Sequence, residues 1–336
     1  GIKIKPKEAK FTFIDLFAGI GGMRLGFQNN EGACVFSSEF DPHAQQTYFK
    51  NHAEIPFGDI TKVDEKMVPD HDILLSGFPC QAFSIAGKRK GFDDEKGRGN
   101  LFFETARIIK EKQPKAFLLE NVKNLDGHDK GNTIAVIEDV IRNELGYSFI
   151  KFILNSSTHG NTPQNRERVY MVGFKGEAKY TINDEVKKTN VLTHQFEIPK
   201  KIELKKNIHS VLDVEQQEKK YYYPKEHQYY DELNGAMNNK DTVYQWRRVY
   251  VRENKSNVCP TLTANMGTGG HNVPLIRDAF GIRKLIPKEC ASFQGFPKQF
   301  EFPEGMAMSH CYKQAGNSVV VPVIERIAKS ISKLLK

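Results

Sequence analysis

The sequence has few cysteines and no long apolar run. Its five cysteines form no Cys-x-x-Cys pair, so neither a zinc site nor a disulfide framework is indicated, and no metal is expected. This cysteine usage fits a reducing compartment, and we expect a cytoplasmic protein. No run of about 18 apolar residues occurs, which argues against a membrane span.

Acidic side chains are in the minority. The chain carries 49 Lys and Arg against 41 Asp and Glu, a formal net charge of +8. A basic excess favours a polyanionic partner, because cations neutralise phosphates. Many basic proteins bind no nucleic acid, so charge alone leaves the partner open.

Short apolar runs alternate with helical patterns in the first half of the chain. This alternation predicts an α/β fold with a doubly wound, mostly parallel, Rossmann-like sheet. The predicted strands are 11–17, 33–38, 73–76, 116–119, 147–154 and 169–174. The predicted helices are 23–28, 101–112 and 132–145, with a closing helix at 318–335.

The pattern changes after Lys175. Residues 176–280 are rich in Lys, Asn, Tyr and turn residues and have no steady period, which indicates a smaller, mostly β domain inserted into the larger one. We therefore expect a large domain of residues 1–175 plus 304–336, the inserted domain at 176–280, and a hinge region at 281–303.

A glycine-rich loop follows the first predicted strand. Gly19, Gly21 and Gly22 allow a ligand to approach the backbone closely. Glu39 follows Gly19 by 20 residues and ends the next strand, where an acid can accept both ribose hydroxyls of an adenosine-containing cofactor. Asp59 could hold an adenine amino group. These residues do not separate S-adenosylmethionine from a nicotinamide cofactor, and a tight turn without ligand is the plainer alternative.

Three further strand ends carry reactive side chains. Cys80 follows a proline in a loop, where exposure suits a thiolate nucleophile, although a lone cysteine is usually a small buried apolar residue. Glu120 ends another strand, and a buried carboxyl there can keep its proton and donate it. Arg166 and Arg168 share a face of an extended chain and can bind a phosphate or a base carbonyl. A solvated strand end for Glu120 and a surface ion pair for the arginines are the alternatives.

Six sequence blocks, which include most of the residues just described, resemble those of the bacterial DNA cytosine-5 methyltransferases. They occur in the family's order between residues 13 and 321, and the variable target-recognition region of the family falls at residues 176–280. The blocks are FIDLFAGIGG, GFPCQAFSIAG, ENVKNL, QNRERVYMVGF, RKLIPKECASFQGFP and GNSVVV.

The resemblance implies a reaction and its residues. The Cys80 thiolate adds to carbon 6 of cytosine, and carbon 5 then takes a methyl group from S-adenosylmethionine. Glu120 bonds ring nitrogen 3 and the exocyclic amine, while Arg168 holds the carbonyl oxygen at position 2 and Arg166 helps to position it. The implied cofactor site, with the loop glycines, comprises Phe17, Gly19, Gly21, Gly22, Glu39, Phe40, Asp59, Ile60, Leu101 and Asn317.

The resemblance also implies double-stranded DNA as the partner, with the target base flipped out of the stack. Residues 81–100 combine glycines with cations, which suggests a lid over the DNA. The candidate DNA contacts are Gln81, Ser84, Lys88, Arg89, Arg248, Arg252, Thr261 and Thr263. We expect a monomer that protects host DNA from a cognate restriction endonuclease. The alternatives are a tRNA cytosine-5 methyltransferase, a catalytically silent DNA-binding module and a nicotinamide oxidoreductase.

Overall fold

A computed structural model describes residues 8–79, 101–268 and 272–335 of the chain. The predicted nucleophile and four of the predicted DNA contacts lie outside the described residues. They are Cys80, Gln81, Ser84, Lys88 and Arg89.

The larger part of the fold is built on one mixed sheet. Its strands are β1 (Phe11–Leu16), β2 (Gly32–Ser38), β3 (Ile73–Ser76), β4 (Ala116–Val122), β5 (Ile150–Asn155) and β6 (Glu167–Phe174), in the spatial order β2-β1-β3-β4-β6-β5. The first four run parallel, while β6 lies antiparallel to both β4 and β5. The chain moves from β1 to one side for β2 and to the other for β3, which makes a switch point where ligands bind in such sheets.

Helices cover both faces of this sheet. They are α1 (Gly22–Gln28), α2 (Pro42–His52), α3 (Leu101–Lys112), α4 (Asn124–Gly127), α5 (Asn132–Asp139) and α6 (Ser156–His159), followed near the end of the chain by α9 (Pro287–Phe293), α10 (Met308–Asn317) and α11 (Val321–Ser332). One apolar core holds the buried side chains of α3 and α5, and a second holds those of α1 and α11. The doubly wound α/β fold class is confirmed.

Three of the four strands of the smaller sheet lie in the region predicted to be inserted, and the last along the chain lies just beyond it. The strands are β9 (Tyr244–Trp246), β10 (Val251–Glu253), β11 (Leu275–Asp278) and β12 (Gly281–Lys284), in the order β10-β9-β11-β12. A separate hairpin of β7 (Ala178–Ile182) and β8 (Glu185–Thr189) precedes it, with α7 (Val191–Gln195) and α8 (Tyr230–Ala236). Short 3₁₀ turns occur at Ile60–Lys62, Glu65–Met67, Ile208–Ser210, Lys219–Tyr221 and Ala264–Gly267.

Packing near the expected domain boundaries is continuous. Phe196, from the range predicted for the inserted domain, packs against Phe152 and Phe174 of the large sheet. The β11–β12 hairpin runs across position 280, where the hinge region was expected to begin.

Several predicted boundaries differ from those in the structure. Strand β4 continues past its predicted end at residue 119 to Val122, because β6 pairs with it along its whole length. The strand predicted at 147–154 starts at Ile150. The helix predicted at 132–145 changes into a π-helical turn at Val140–Glu144, and the closing helix begins at Val321 rather than 318. Among the described residues, no helix is long and apolar enough to cross a membrane.

Candidate active site

A cleft of about 730 Å³ opens at one edge of the large sheet. The carboxyl ends of β1 to β4 point to this edge, and β6 starts there because it is antiparallel. Side chains from all these strands therefore meet in one place, together with the end of α10. The predicted site residues in its lining are Phe17, Gly19, Glu39, Phe40, Asp59, Ile60, Leu101, Glu120, Arg166, Arg168 and Asn317.

The glycine-rich loop turns sharply after β1. Phe17 has a φ of 52° and Gly19 a φ of 55°, both in the left-handed region. Such a backbone is uncommon for a phenylalanine and is held here by the surrounding structure, because the Ala18 amide donates to the Ser38 carbonyl at 2.9 Å. The turn thus brings Phe17 and Gly19 to the wall of the cleft.

Glu39 is held by backbone amides from two sides. Its Oε1 accepts from the Gly19 amide at 2.8 Å, and its Oε2 accepts from the Asp41 amide at 2.7 Å. Burial raises the pKa of the Glu39 carboxyl above its ordinary value, and these two hydrogen bonds limit the rise. A carboxylate has about four lone-pair sites, so two remain for hydroxyl donors of a ligand.

Other predicted cofactor residues present complementary groups to the cleft. Phe40 is 74% exposed, so its ring is open to a flat partner. The Asp59 Oδ1 accepts from the Thr61 amide at 3.0 Å and the Thr61 hydroxyl at 2.7 Å, and these bonds lower the pKa of the Asp59 carboxyl. Both bonds use one oxygen of Asp59.

Gly21 and Gly22 are outside the lining of the cleft. A Cβ at Gly21 would lie 2.1 Å from Nε2 of His52, and one at Gly22 would lie 2.7 Å from Cγ2 of Val319. Their small size therefore permits α1 to pack closely against α2 and the segment before α11.

A buried polar cluster lies beneath the loop. The Tyr48 hydroxyl donates to Oδ2 of Asp15 at 3.0 Å, and Nη1 of Arg24 donates to the Tyr48 oxygen at 3.2 Å and to Glu54 at 2.6 Å. Burial raises the pKa of Asp15 to about 7, against the opposing effect of Arg24. The sequence analysis assigned no role to this cluster.

Glu120 occupies the other half of the cleft. It lies within β4, opposite Tyr170 of β6. Burial raises the pKa of the Glu120 carboxyl, and the nearby Arg168 and Arg166 oppose that rise. The Arg168 Nε lies 3.5 Å from Oε1 of Glu120. A Cβ at Gly77 would be 3.3 Å from Oε2 of Glu120, so a glycine at this position leaves room for the carboxyl.

Asn121 is a site residue that the sequence analysis missed. Its Nδ2 donates to the Phe78 carbonyl at 2.9 Å, and its side chain is buried. The bond fixes the backbone two residues before position 80, and Phe78 and Pro79 both line the cleft. The only signal in the sequence was the adjacency of Asn121 to Glu120.

The two arginines have different surroundings. Both line the cleft, yet Arg166 is almost fully buried and donates to three carbonyls: Leu262 at 2.6 Å, Gly316 at 2.8 Å and Ser318 at 2.7 Å. Burial and Arg168 lower the pKa of Arg166 to about 9, so it stays charged at neutral pH. Its buried Nε has no partner among the described residues. Sequence periodicity suggested a matched pair and gave no sign of this separation.

The predicted DNA contacts that the structure describes lie on two surfaces. Arg248 and Arg252 are exposed at the β9–β10 hairpin. Thr261 and Thr263 are exposed between β10 and the Ala264–Gly267 turn, and the Thr261 hydroxyl donates to the Asn165 carbonyl at 2.6 Å. Trp246 stacks on Tyr229 with ring centroids 4.5 Å apart, which is a packing role. Within the described residues, no group of three or more His, Cys, Asp or Glu side chains is placed to hold a metal ion.

Comparison with known proteins identifies relatives along the whole chain. A profile of the C-5 cytosine-specific DNA methylases matches residues 11–333. The chain is 50% identical over 324 residues to the type II methyltransferase M.Bsp6I of Bacillus sp. (strain RFL6), covering 95% of this chain and 97% of that protein. It is 40% identical to M.HhaI of Haemophilus parahaemolyticus, covering 99% and 98% of the two chains.

A solved structure has the same fold at low identity. The Dnmt2 methyltransferase of S. pombe superposes with a TM-score of 0.67 at 21% identity, covering 97% of this chain and 98% of its own. The match over residues 11–333 and the close relatives decide the assignment: this chain belongs to the C-5 cytosine-specific DNA methylase family and is a DNA (cytosine-5-)-methyltransferase.

Proposed function

We propose that this enzyme is the modification half of a type II restriction–modification system. It transfers a methyl group from S-adenosylmethionine to carbon 5 of a cytosine flipped out of double-stranded DNA, and so protects its own DNA from a partner endonuclease. The names of the relatives support the type II assignment. The observation that carries the chemistry is one cleft that joins Gly19 and Glu39 to Glu120 and Arg168.

The residues of the first half fit S-adenosylmethionine. This group supplies an electrophilic methyl when it is bound. The free lone pairs of Glu39 suit two ribose hydroxyls, because the other two already accept amides. The exposed Phe40 ring suits the face of adenine, and the second oxygen of Asp59 suits its amino group. Phe17, Ile60, Leu101 and Asn317 complete the walls.

The residues of the second half suit a flipped cytosine. The raised pKa of Glu120 favours a protonated carboxyl that donates to ring nitrogen 3 and draws electrons from the ring. Arg168 holds the carbonyl oxygen of cytosine at position 2. Arg166 helps to position that oxygen by fixing the backbone at Gly316 and Ser318. Cys80, the residue after Pro79, adds its thiolate to carbon 6. Carbon 5, made nucleophilic by this addition, takes the methyl group, and loss of its proton then expels the thiolate and restores the ring.

The remaining assignments follow from the resemblance. We propose a large domain of residues 1–175 plus 304–336, a target-recognition domain at 176–280 and a hinge region at 281–303. Exposed Arg248, Arg252 and Thr263 are proposed DNA contacts. We also propose Gln81, Ser84, Lys88, Arg89 and Thr261 as contacts with the DNA strand. A single chain carries every proposed site residue, so we propose a monomer.

The test is incorporation of labelled methyl groups into substrates offered in parallel. We expect transfer into double-stranded DNA and none into tRNA, with the product identified as 5-methylcytosine by mass spectrometry. Cys80→Ser should abolish transfer while leaving S-adenosylhomocysteine binding intact. Transfer that survives in Cys80→Ser, or a methyl group on an exocyclic amine, would contradict the proposal. Methylation sequencing of DNA from cells that express the chain would give the target sequence.

A further inference from the structure

Two buried glutamines meet outside the reaction described above. Gln164 and Gln294 are both 0% exposed, and Nε2 of Gln164 donates to Oε1 of Gln294 at 2.8 Å. Gln164 precedes β6, whereas Gln294 directly follows α9. Burying a side-chain amide costs free energy unless its polar atoms form hydrogen bonds. Such a pair therefore fixes the positions of the backbone groups to which it is hydrogen-bonded.

Gln164 holds Leu262, which lies within the proposed target-recognition domain. Its Oε1 accepts from the Leu262 amide at 3.1 Å, while Arg166 Nη1 donates to the Leu262 carbonyl at 2.6 Å. Both the amide and the carbonyl of Leu262 are therefore hydrogen-bonded to these two side chains. It lies between Thr261 and Thr263, both proposed DNA contacts, so a displacement of this segment by DNA acts directly on Gln164.

Gln294 holds the helix that ends at the cofactor site. Its Nε2 donates to the Ala315 carbonyl at 2.8 Å, and its backbone carbonyl accepts from the Val321 amide at 2.9 Å. Ala315 lies in the last turn of α10, two residues before Asn317, which lines the cleft. The glutamine pair thus bridges Leu262 and the backbone beside Asn317.

Helix α10 also contacts the backbone at Thr263 and is hydrogen-bonded to α2. A Cβ at Gly316 would lie 2.2 Å from the carbonyl carbon of Thr263, so the two backbones are in close contact. The Thr47 hydroxyl of α2 donates to Oε1 of Gln314 at 2.6 Å. Because α2 begins just after Glu39, a movement of α10 would displace both Asn317 and the segment that carries Glu39.

We propose that Gln164 and Gln294 are positioning residues that couple DNA binding at residues 261–263 to cofactor binding beside Asn317. The proposal rests on the function proposed above. It requires that DNA tightens cofactor binding, that cofactor tightens DNA binding by the same factor, and that the glutamine pair carries much of that factor.

The experiment measures this coupling factor in a thermodynamic cycle. Titration calorimetry gives the affinity for S-adenosylhomocysteine with and without a duplex that contains the target sequence. In Gln294→Met and Gln164→Met we expect the coupling factor to fall by about 5-fold or more, within the usual range of allosteric coupling. The affinity for each ligand alone should change far less, and kcat should fall more than KM rises.

Tyr147→Phe is the matched control. Tyr147 is also fully buried and donates to a carbonyl, that of Pro114, at a place remote from the cleft. It should lose stability and keep the wild-type coupling factor. If both glutamine variants fail to fold, Thr47→Val removes the α2–α10 hydrogen bond with little change of shape, and it should lower the factor as well.

Three outcomes would overturn the proposal: a wild-type coupling factor of one, an unchanged factor in a folded glutamine variant, and, should neither glutamine variant fold, an unchanged factor in Thr47→Val. Labelled methyl transfer by the wild-type enzyme is measured in the same preparations. A wild type that methylates DNA without coupling refutes this inference alone, whereas a wild type that leaves DNA unmethylated refutes the proposed function.

Discussion

The two halves of the cleft each hold a partly buried glutamate, and the partners of the two carboxyls differ. Glu39 accepts from two backbone amides, which favour the ionised form that accepts hydrogen bonds. Glu120 has guanidinium neighbours, and no backbone amide donates to it within the described residues. Burial raises both pKa values. Both sets of partners oppose that rise. The comparison teaches that fixed backbone amides hold Glu39 as a hydrogen-bond acceptor, whereas Glu120, which has no such donor among the described residues, is left to carry the proton in the reaction that we propose.

The same substitution in the two halves should therefore separate chemistry from binding. Glu120→Gln removes the acidic proton, so we expect methyl transfer to fall by about 10²- to 10⁴-fold, the usual contribution of a general acid. The affinity for S-adenosylhomocysteine should stay close to that of the wild type. Single-turnover transfer of labelled methyl groups and calorimetry measure the two effects. A transfer rate of Glu120→Gln within tenfold of the wild-type rate would show that Glu120 is not the general acid of the reaction.

Glu39→Gln should do the reverse. It replaces a charged acceptor by a neutral one, and a hydrogen bond to a charged group contributes about 1.5–3 kcal/mol. We expect cofactor affinity to fall by about 10- to 100-fold, while DNA affinity is unchanged. Calorimetry with S-adenosylhomocysteine and fluorescence anisotropy with DNA give the comparison. A larger loss in DNA affinity would contradict the ribose assignment.

The arginines sharpen the comparison within the catalytic half. Arg166→Lys replaces the two terminal nitrogens that reach three carbonyls by a single ammonium, so we expect a loss of about 2–4 kcal/mol in the free energy of unfolding. Arg168→Lys should lose under about 1 kcal/mol of stability and yet lower kcat, because its guanidinium lines the cleft beside Glu120, where we propose that cytosine binds. Urea unfolding and steady-state kinetics test both variants. Equal stability losses would show that the two arginines have the same role.

Asp15 gives the cofactor half a pH dependence. Its pKa is raised from 3.8 to about 7, so between these values the native state holds a proton that the unfolded state has lost. The contribution of this group to stability is therefore full below about pH 4 and declines as pH rises towards 7. Relative to Asp15→Asn, wild-type stability should fall by about 4 kcal/mol across this window, of which about 2–3 kcal/mol is lost between pH 5 and pH 7.5.

Urea unfolding of both proteins at pH 5 and pH 7.5 measures the difference. Tyr147→Phe, which removes a buried hydrogen bond and leaves Asp15 in place, is the control and should follow the wild-type slope. A difference between wild type and Asp15→Asn that is the same at both pH values would show that the Asp15 carboxyl does not titrate in this range.

Local patterns in the sequence predicted much of the large sheet. The bounds of β3 and α3 agree with the prediction, because an apolar run between Asp72 and Gly77 and a clear helical period need no distant partner. The extension of β4 past residue 119 depends on its pairing with β6, some 50 residues away, and could not be read locally. The antiparallel β6 follows from the short connection after β5, which is too short for a crossover helix.

The site was predictable where a residue acts from its own strand end. Glu39 directly follows β2 and Glu120 lies near the end of β4, and the structure brings both to the cleft. The burial of Arg166 could not be predicted, because its partners Leu262 and Gly316 lie 96 and 150 residues away. The pairing of Gln164 with Gln294 spans 130 residues and is invisible in the sequence for the same reason.

The most direct test of the account uses duplex DNA with 5-fluorocytosine at the target position. Fluorine cannot leave carbon 5 as a proton does, so the enzyme should stall after the thiolate of Cys80 has added to carbon 6 and the methyl group has been transferred. Mass spectrometry of the digested complex should then find the modified nucleotide on the peptide that contains Cys80. An adduct on any other residue, or full turnover without an adduct, would contradict the account.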